Sequence, residues 1–330
     1  MDGICTLAND RVYDQVIALI NSIEAIAGKD MPICIYPYDD QTERLAVEVN
    51  KRPNVELYRD RDSMDKWDKF ARDVWDTHPS ANRIWQQAGS TGYHRFGTHR
   101  RYCAFDGPFE RFLYMDADTL LMNSAEPIFN YLTNYDCIVY DFQYKDLTHV
   151  YDVNSAQLES TFNRARLNSE IFCSGFYASK QNLFFPSQRA AIINYLKSGE
   201  AEILYPMAPD QTLINYMLMR LGFSIYNLAL ILPQEQTTGC CVTSNHFTNK
   251  NNLLYDQNKR LTYIHYIGLS SSLFTRVCTG ENIDFPYRDL FLYYRYLHEP
   301  ENYPRFTKNA KAYNHPPSLA KRVMSKFVRQ

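Results

Sequence analysis

Apolar positions along this chain change period in a regular alternation. Gly3 to Ala8 is a short apolar run that ends at Asn9 and Asp10. Val16, Ile17, Ile20 and Ile23 then recur at helical spacing until Gly28 stops the pattern, which predicts strand, polar loop and helix. Pro32 to Tyr38 reads as a second strand and Val55 with Leu57 as a third. Trp67, Phe70, Ala71 and Val74 mark an amphipathic helix, whereas Pro79 to Gly97 is polar and poorly periodic and reads as a long loop or lid. Further strands are predicted at Arg111 to Met115, Cys137 to Tyr140, Ile171 to Ala178 and Leu261 to Tyr266. Pro209 and Asp210 stand where a helix would begin, with Leu213, Ile214, Met217, Leu218 and Leu221 on its apolar face. Alternation of this kind predicts an α/β fold with a mostly parallel, doubly wound sheet.

Composition narrows the partners. The 330 residues are 45% hydrophobic and 22% charged, enough for one large α/β domain or two ordinary ones. A formal net charge of -2 gives no general basic field, so no nucleic-acid partner is expected. The eight Cys include the vicinal pair Cys240 and Cys241 but no CxxC, and no N-terminal signal pattern is present, which predicts reduced thiols and a cytoplasmic protein. Every apolar run is interrupted well short of the roughly 20 residues needed to cross a bilayer. The 26 Tyr fit a half-polar core better than a set of carbohydrate-stacking platforms.

Candidate chemistry centres on one phrase. Phe112-Leu113-Tyr114-Met115 runs straight into Asp116-Ala117-Asp118, which places two carboxylates at the C-terminal edge of a buried strand, where ligand sites of open α/β sheets lie. Such a pair can meet one hard cation, and that cation can bridge the oxygens of a diphosphate. Spacing alone is weak, because Asp60-Arg61-Asp62 has it too, in a charged stretch that reads as a solvated turn. Asp-x-Asp-x-Thr after an apolar strand also resembles the nucleophile motif of haloacid-dehalogenase-like phosphatases. That family carries the motif on its first strand and adds a later Gly-Asp-x-x-x-Asp cluster, which this chain lacks.

The phrase Phe112 to Leu121 (FLYMDADTLL) resembles the metal-binding segment of family-8 retaining glycosyltransferases. Four further matches follow the family's order: Thr6 to Asp10 with Tyr13, Phe172-Cys173-Ser174-Gly175, Asp210-Gln211, and His265-Tyr266-Ile267-Gly268. The resemblance spans about residues 3 to 270. It implies a GT-A, Rossmann-like nucleotide-diphospho-sugar transferase fold over 1–299, followed by a basic tail at 300–330. It also implies a hexose moved from a nucleotide-sugar donor, UDP-linked, to an unidentified saccharide, lipid-linked or protein acceptor, with retention. Ala8, Asp10 and Tyr13 would then contact base and ribose, while Asp116, Asp118 and His265 would hold Mn²⁺ or Mg²⁺. Ala117, Ser174, Gly175 and Gly268 would complete the donor site. Asp210 and Gln211 would face the sugar or the reacting centre. Arg100 or Arg101 matches an arginine that positions the donor, Arg101 being the one assigned to the site.

Two departures qualify the match. Cys173 stands where the family has an Asn amide, and Ser271 where a phosphate-binding Lys is usual, leaving Arg276 or another cation to neutralise the diphosphate. A nucleotide-sugar-binding protein with little turnover is therefore the alternative within the same fold. Beyond Pro316-Pro317, residues 318–329 read as a short amphipathic helix, apolar through Leu319, Val323 and Phe327 and basic through Lys321, Arg322 and Lys326. Such a helix predicts either peripheral contact with an anionic membrane or a terminal helix docked on the domain.

Overall fold

The computed structural model describes residues 1–314, so the expected helix at 318–329 lies outside the described residues. In chain order the strands are β1 (Asp2–Ala8), β2 (Ile33–Pro37), β3 (Val55–Leu57), β4 (Arg111–Met115), β5 (Thr119–Leu121), β6 (Cys137–Val139), β7 (Phe176–Lys180) and β8 (Ile225–Asn227). Seven of them form one sheet in the order β3-β2-β1-β4-β7-β6-β8. Only β7 runs antiparallel to its neighbours, so the sheet is mostly parallel, as the alternation of periods predicts.

The strands are apolar on both faces because the sheet is covered on both. Cys34, Tyr36, Phe112, Tyr114 and Tyr177 point into one core with Trp67, Phe70 and the helix Pro209–Arg220. Ile33, Ile35, Leu113, Met115 and Phe176 point into the other with Val16, Ile17 and Ile20 of the helix Tyr13–Ala27. That helix ends at Gly28, whose φ of 98° is open to glycine at little cost. A third apolar cluster joins Leu120 and Ile264 to Phe274 and Phe291. It holds the small sheet of β9 (Thr248–Lys250), β10 (Leu253–Asp256) and β11 (Lys259–Arg260), and the strand β12 (Tyr263–His265), which pairs antiparallel with β5.

Three sequence expectations need correction. Residues 79–97 are not one long loop or lid, because they contain the helix Ala81–Gln87, and Trp85 is 1% exposed with its indole N–H donated to the Pro206 carbonyl at 2.8 Å. Its buried positions, Ala81 and Trp85, make only one i, i+4 pair, too short a pattern to stand out in a polar stretch. Second, the strand expected at 171–178 begins only at Phe176. Side chains satisfy the backbone before it: Asn215 accepts from Phe172 N and donates to Phe172 O, and Asp141 accepts from Cys173 N. Third, Asp60 is no free turn residue, since its carboxylate caps the helix Arg61–Trp75 by accepting from Ser63 N at 3.1 Å.

Among the described residues no helix is long and apolar enough to cross a membrane. All eight cysteines are free.

Candidate active site

Because β1 and β4 are parallel neighbours, their C-terminal ends open onto the same edge of the sheet. Ala8 and Asn9 leave one strand there and Asp116 leaves the other. Between them lies a cleft of about 320 Å³, lined by Ala8, Asn9, Arg11, Asp116, Ala117 and Asp118 among others.

A tight turn presents the two carboxylates. Asp116 N donates to Gly175 O at 2.9 Å, and Asp116 O accepts from Thr119 N at 3.0 Å and from Thr119 Oγ1 at 2.7 Å. The chain thereby turns directly into β5, where Thr119 faces His265 across the β12 ladder, and Tyr266 N donates to Asp118 O at 2.9 Å. That register sets His265 Nε2 3.3 Å from Asp118 Oδ1. Asp116, Asp118 and His265 each offer one ligand atom, and the three atoms lie within 4.8 Å of one another.

Gly175 makes room for this set. A Cβ there would stand 2.5 Å from His265 Cε1 and 3.0 Å from Asp116 Oδ2, so any side chain would occupy the space between them. Two carboxylates and an imidazole make a donor set able to hold a divalent cation.

The electrostatics follow from placement. Burial pushes the Asp116 carboxyl above its ordinary range in spite of Arg101. Burial also opposes the charge on Asp118, but His265 outweighs it and the carboxyl lies below its ordinary range. For His265 burial disfavours protonation, yet Asp118 and a hydrogen bond with the Cys173 thiol push it well above the usual imidazole range.

Arg101, 3% exposed, braces the site from beneath. It donates through Nε to Thr98 O at 3.1 Å, and through Nη1 to Ser174 O and Ser174 Oγ, both at 2.8 Å. Its Nη2 lies 3.1 Å from Asp116 Oδ1 and 2.9 Å from Asp210 Oδ2. Tyr114 OH donates to the same Asp116 oxygen at 3.0 Å. Arg100 turns away and clasps Asp68 through Nε at 3.0 Å and Nη2 at 2.9 Å. Of the two candidate arginines, then, Arg101 lies at the site.

Other expected residues fall beside the cleft rather than in it. Asp10 accepts from Arg44 N and Leu45 N, each at 3.0 Å, and so caps the helix Glu43–Val49. Tyr13 lies under the Arg44 guanidinium at 4.0 Å. Neither lines the cleft, whereas Asn9, Arg11 and Gln15 do. Gln15 is 4% exposed, and its Oε1 has no partner within the protein. Asp210 is held by Arg101, and its carbonyl accepts from Tyr102 OH at 2.6 Å. Gln211 Oε1 accepts from Ser174 N at 3.1 Å, and its Nε2 donates to His149 O at 2.9 Å. Both residues therefore position the Cys173-Ser174-Gly175 segment. Gly268, at φ 82°, leads into the helix Ser271–Cys278, and Leu269 and Ser271 reach the cleft. Arg276 is paired with Glu281 at 2.7 Å, so the cations that line the cleft are Arg11, Arg95 and the engaged Arg101.

Asp141 went unnoticed in the sequence. It lies just past the end of β6, 4% exposed, accepting from Gln143 N at 2.6 Å and Cys173 N at 3.0 Å. Burial pushes its carboxyl up to about 7 against those two hydrogen bonds. The strand-edge argument that singled out Asp116 applies equally to Asp141, the second residue beyond Val139.

No protein-family model matches the chain, and no curated protein is similar to it at a significant level. Solved structures are similar. WbbM, a bifunctional glycosyltransferase in its apo form, superimposes with a TM-score of 0.53 at 15% identity over 93% of this chain and 52% of that one. The chain has the GT-A glycosyltransferase fold. It spans about half the length of WbbM. The galactosyltransferase LgtC, in complex with donor and acceptor sugar analogs, gives a TM-score of 0.48 at 14% identity over 84% of this chain and 95% of that one. Mouse xyloside xylosyltransferase 1 gives 0.49 at 10% identity over 69% and 85%. At 15% identity the likeness to WbbM speaks for architecture, and what the cleft does must be argued from its residues.

Proposed function

We propose that this chain is a metal-dependent glycosyltransferase that moves a hexose from a UDP-linked donor to an acceptor, with retention. The observation that carries the reading is the gathering of Asp116, Asp118 and His265 within 4.8 Å, at the edge of the sheet where β1 and β4 open into a cleft. A divalent cation held by these three would stabilise the negative charge that a leaving diphosphate acquires.

The chain's own side chains do the remaining work. Arg11 and Arg95 bring positive charge to the cleft, a role that Ser271 cannot fill. Arg101 and Tyr114 both engage Asp116 Oδ1, which fixes the carboxylate and leaves Oδ2 beside Gly175 for a ligand. Ala8 and Ala117 keep the walls low where a base and ribose would lie. Neither of the buried carboxylates Asp210 and Asp141 suits a nucleophile. Asp210 is paired with Arg101, and Asp141 holds two backbone N–H groups. With retention taken from the family resemblance, that shortage favours departure and attack on one face of the sugar.

The test is hydrolysis of a panel of UDP-, GDP- and ADP-sugars with and without Mn²⁺, which needs no acceptor. Release of UDP only with Mn²⁺ is the expected result. Tight nucleotide binding without cleavage would replace the reading by a nucleotide-sugar-binding protein. Phosphate released from monoesters, with donors left intact, would return the phosphatase.

A further inference from the structure

The loop before β9 passes beside His265 and carries two adjacent thiols. Cys240 Sγ and Cys241 Sγ are 3.8 Å apart. The backbone on either side of this pair is bonded to the same residue. His265 N donates to Cys240 O at 2.7 Å, Val242 N donates to His265 O at 2.9 Å, and Cys241 forms a parallel bridge with His265. Cys240 is 4% exposed, while Cys241 is the less buried of the two.

We infer that Cys240 and Cys241 form a reversible oxidation site, whose closure to a vicinal disulfide displaces His265. The oxidant is a peroxide. The Cys241 thiolate attacks one peroxide oxygen, giving a sulfenic acid and expelling hydroxide, which takes up the thiol proton as water. The Cys240 sulfur then attacks the sulfenic sulfur, the S–O bond breaks, and a second water leaves with the Cys240 proton. In sum, two thiols and one hydrogen peroxide become one disulfide and two waters.

The mechanical argument rests on chain geometry. Adjacent Cα atoms across a trans peptide are about 3.8 Å apart. Relaxed disulfides want about 4.4 Å or more. Ring closure must therefore twist the Cys240–Cys241 peptide, and that peptide contains the Cys240 carbonyl that accepts from His265 N and adjoins the Cys241–Val242 peptide, whose N–H donates to His265 O. A bond strained in this way is also readily reduced, as reversible control requires.

Coupling to a metal rests on the function proposed above; formation of the disulfide and movement of the His265 backbone do not. The reduced chain is treated with hydrogen peroxide, the oxidant is removed, and three readings are taken. Peptide mass mapping should show the loss of two hydrogens confined to the peptide holding Cys240 and Cys241. Amide exchange across 263–266 should speed up, and Mn²⁺ affinity should fall by about tenfold, the usual size of losing support behind a ligand. Dithiothreitol should restore all three. Cys240→Ala and Cys241→Ser should each abolish the response while leaving the untreated chain's Mn²⁺ titration in place. Two intact thiols after treatment, a disulfide that joins Cys173 to Cys241 instead, or a vicinal disulfide with unchanged exchange at 263–266 would each overturn the inference. A reduced chain that binds no Mn²⁺ yet shows the disulfide and the faster exchange would sustain the oxidation site and defeat the metal reading.

Discussion

The guanidinium of Arg101 lies 3.1 Å from Asp116 Oδ1, and the same Nη2 lies 2.9 Å from Asp210 Oδ2, so one buried cation ties the turn after β4 to the start of the helix Pro209–Arg220. Lysine has neither the fork nor the reach to make all of these bonds at once. Arg101→Lys is expected to lower stability by about 3 kcal/mol, the scale set by a buried charge left without its partner. Urea unfolding measures it, and a loss below about 1 kcal/mol would show that the network is dispensable.

Asp116→Asn and Asp118→Asn should each remove metal-dependent donor cleavage while a folded chain remains, because an amide is a much poorer ligand for a hard cation. The control comes from the other Asp-x-Asp pair. Asn caps helices about as well as Asp, so Asp60→Asn should keep both turnover and stability, whereas Asp60→Ala should cost about 1 kcal/mol with turnover unchanged. Full cleavage in both site variants would remove Asp116 and Asp118 from the mechanism.

Gly175→Ala and His265→Ala attack the same site from opposite sides. The added methyl of the first would meet His265 Cε1 at 2.5 Å and force the imidazole aside, while the second deletes it. Both should weaken Mn²⁺ and donor binding together by about tenfold or more. Calorimetric titration of Mn²⁺, with and without UDP, reads this directly, and parent-like affinities in His265→Ala would make His265 an ordinary core histidine.

Asp68 should govern part of the acid stability. Burial alone would raise its pKa, but hydrogen bonds from Arg100 and His99 more than reverse that, and the carboxyl lies below its ordinary range. A depressed folded-state pKa contributes stability above the unfolded value, about 3.9, and loses it as pH falls from there towards the folded value. Asp68→Asn is thus expected to cost about 3 kcal/mol at pH 7 and progressively less below about pH 4. Denaturation curves at the two pH values test this, and a gap independent of pH would place the cost elsewhere.

Much of this was legible before any coordinates. Phe112 to Met115 is long and apolar enough to be a doubly covered strand, and a strand of that kind in an alternating α/β chain points to the sheet edge where open α/β folds place their ligands, hence the proposed pair Asp116 and Asp118. His265 required the family resemblance, because its neighbour in space is set by the pairing of β5 with β12 and not by any local period. After β1 the cleft is lined by residues neighbouring two of those that the resemblance implies. The turn Asp10–Val12 puts Asn9 and Arg11 towards the cleft and sends Asp10 to the next helix, a choice made by which backbone N–H groups lack partners. Asp210 and Gln211 carry the expected sequence, yet their side chains are spent on Arg101, Ser174 and His149. Bonding of that sort leaves no trace in hydrophobic patterning.

The pairing of His265 with Thr119 across β5 and β12 bears on when the site can exist during synthesis. A nascent chain that has emerged only as far as β8 already possesses the whole seven-stranded sheet and both carboxylates, but not the imidazole. Translation must pass β12 before all three groups are present. Any product truncated by an early stop codon between β8 and β12 would keep every strand of the main sheet and still lack His265, the imidazole of the Asp116–Asp118–His265 cluster.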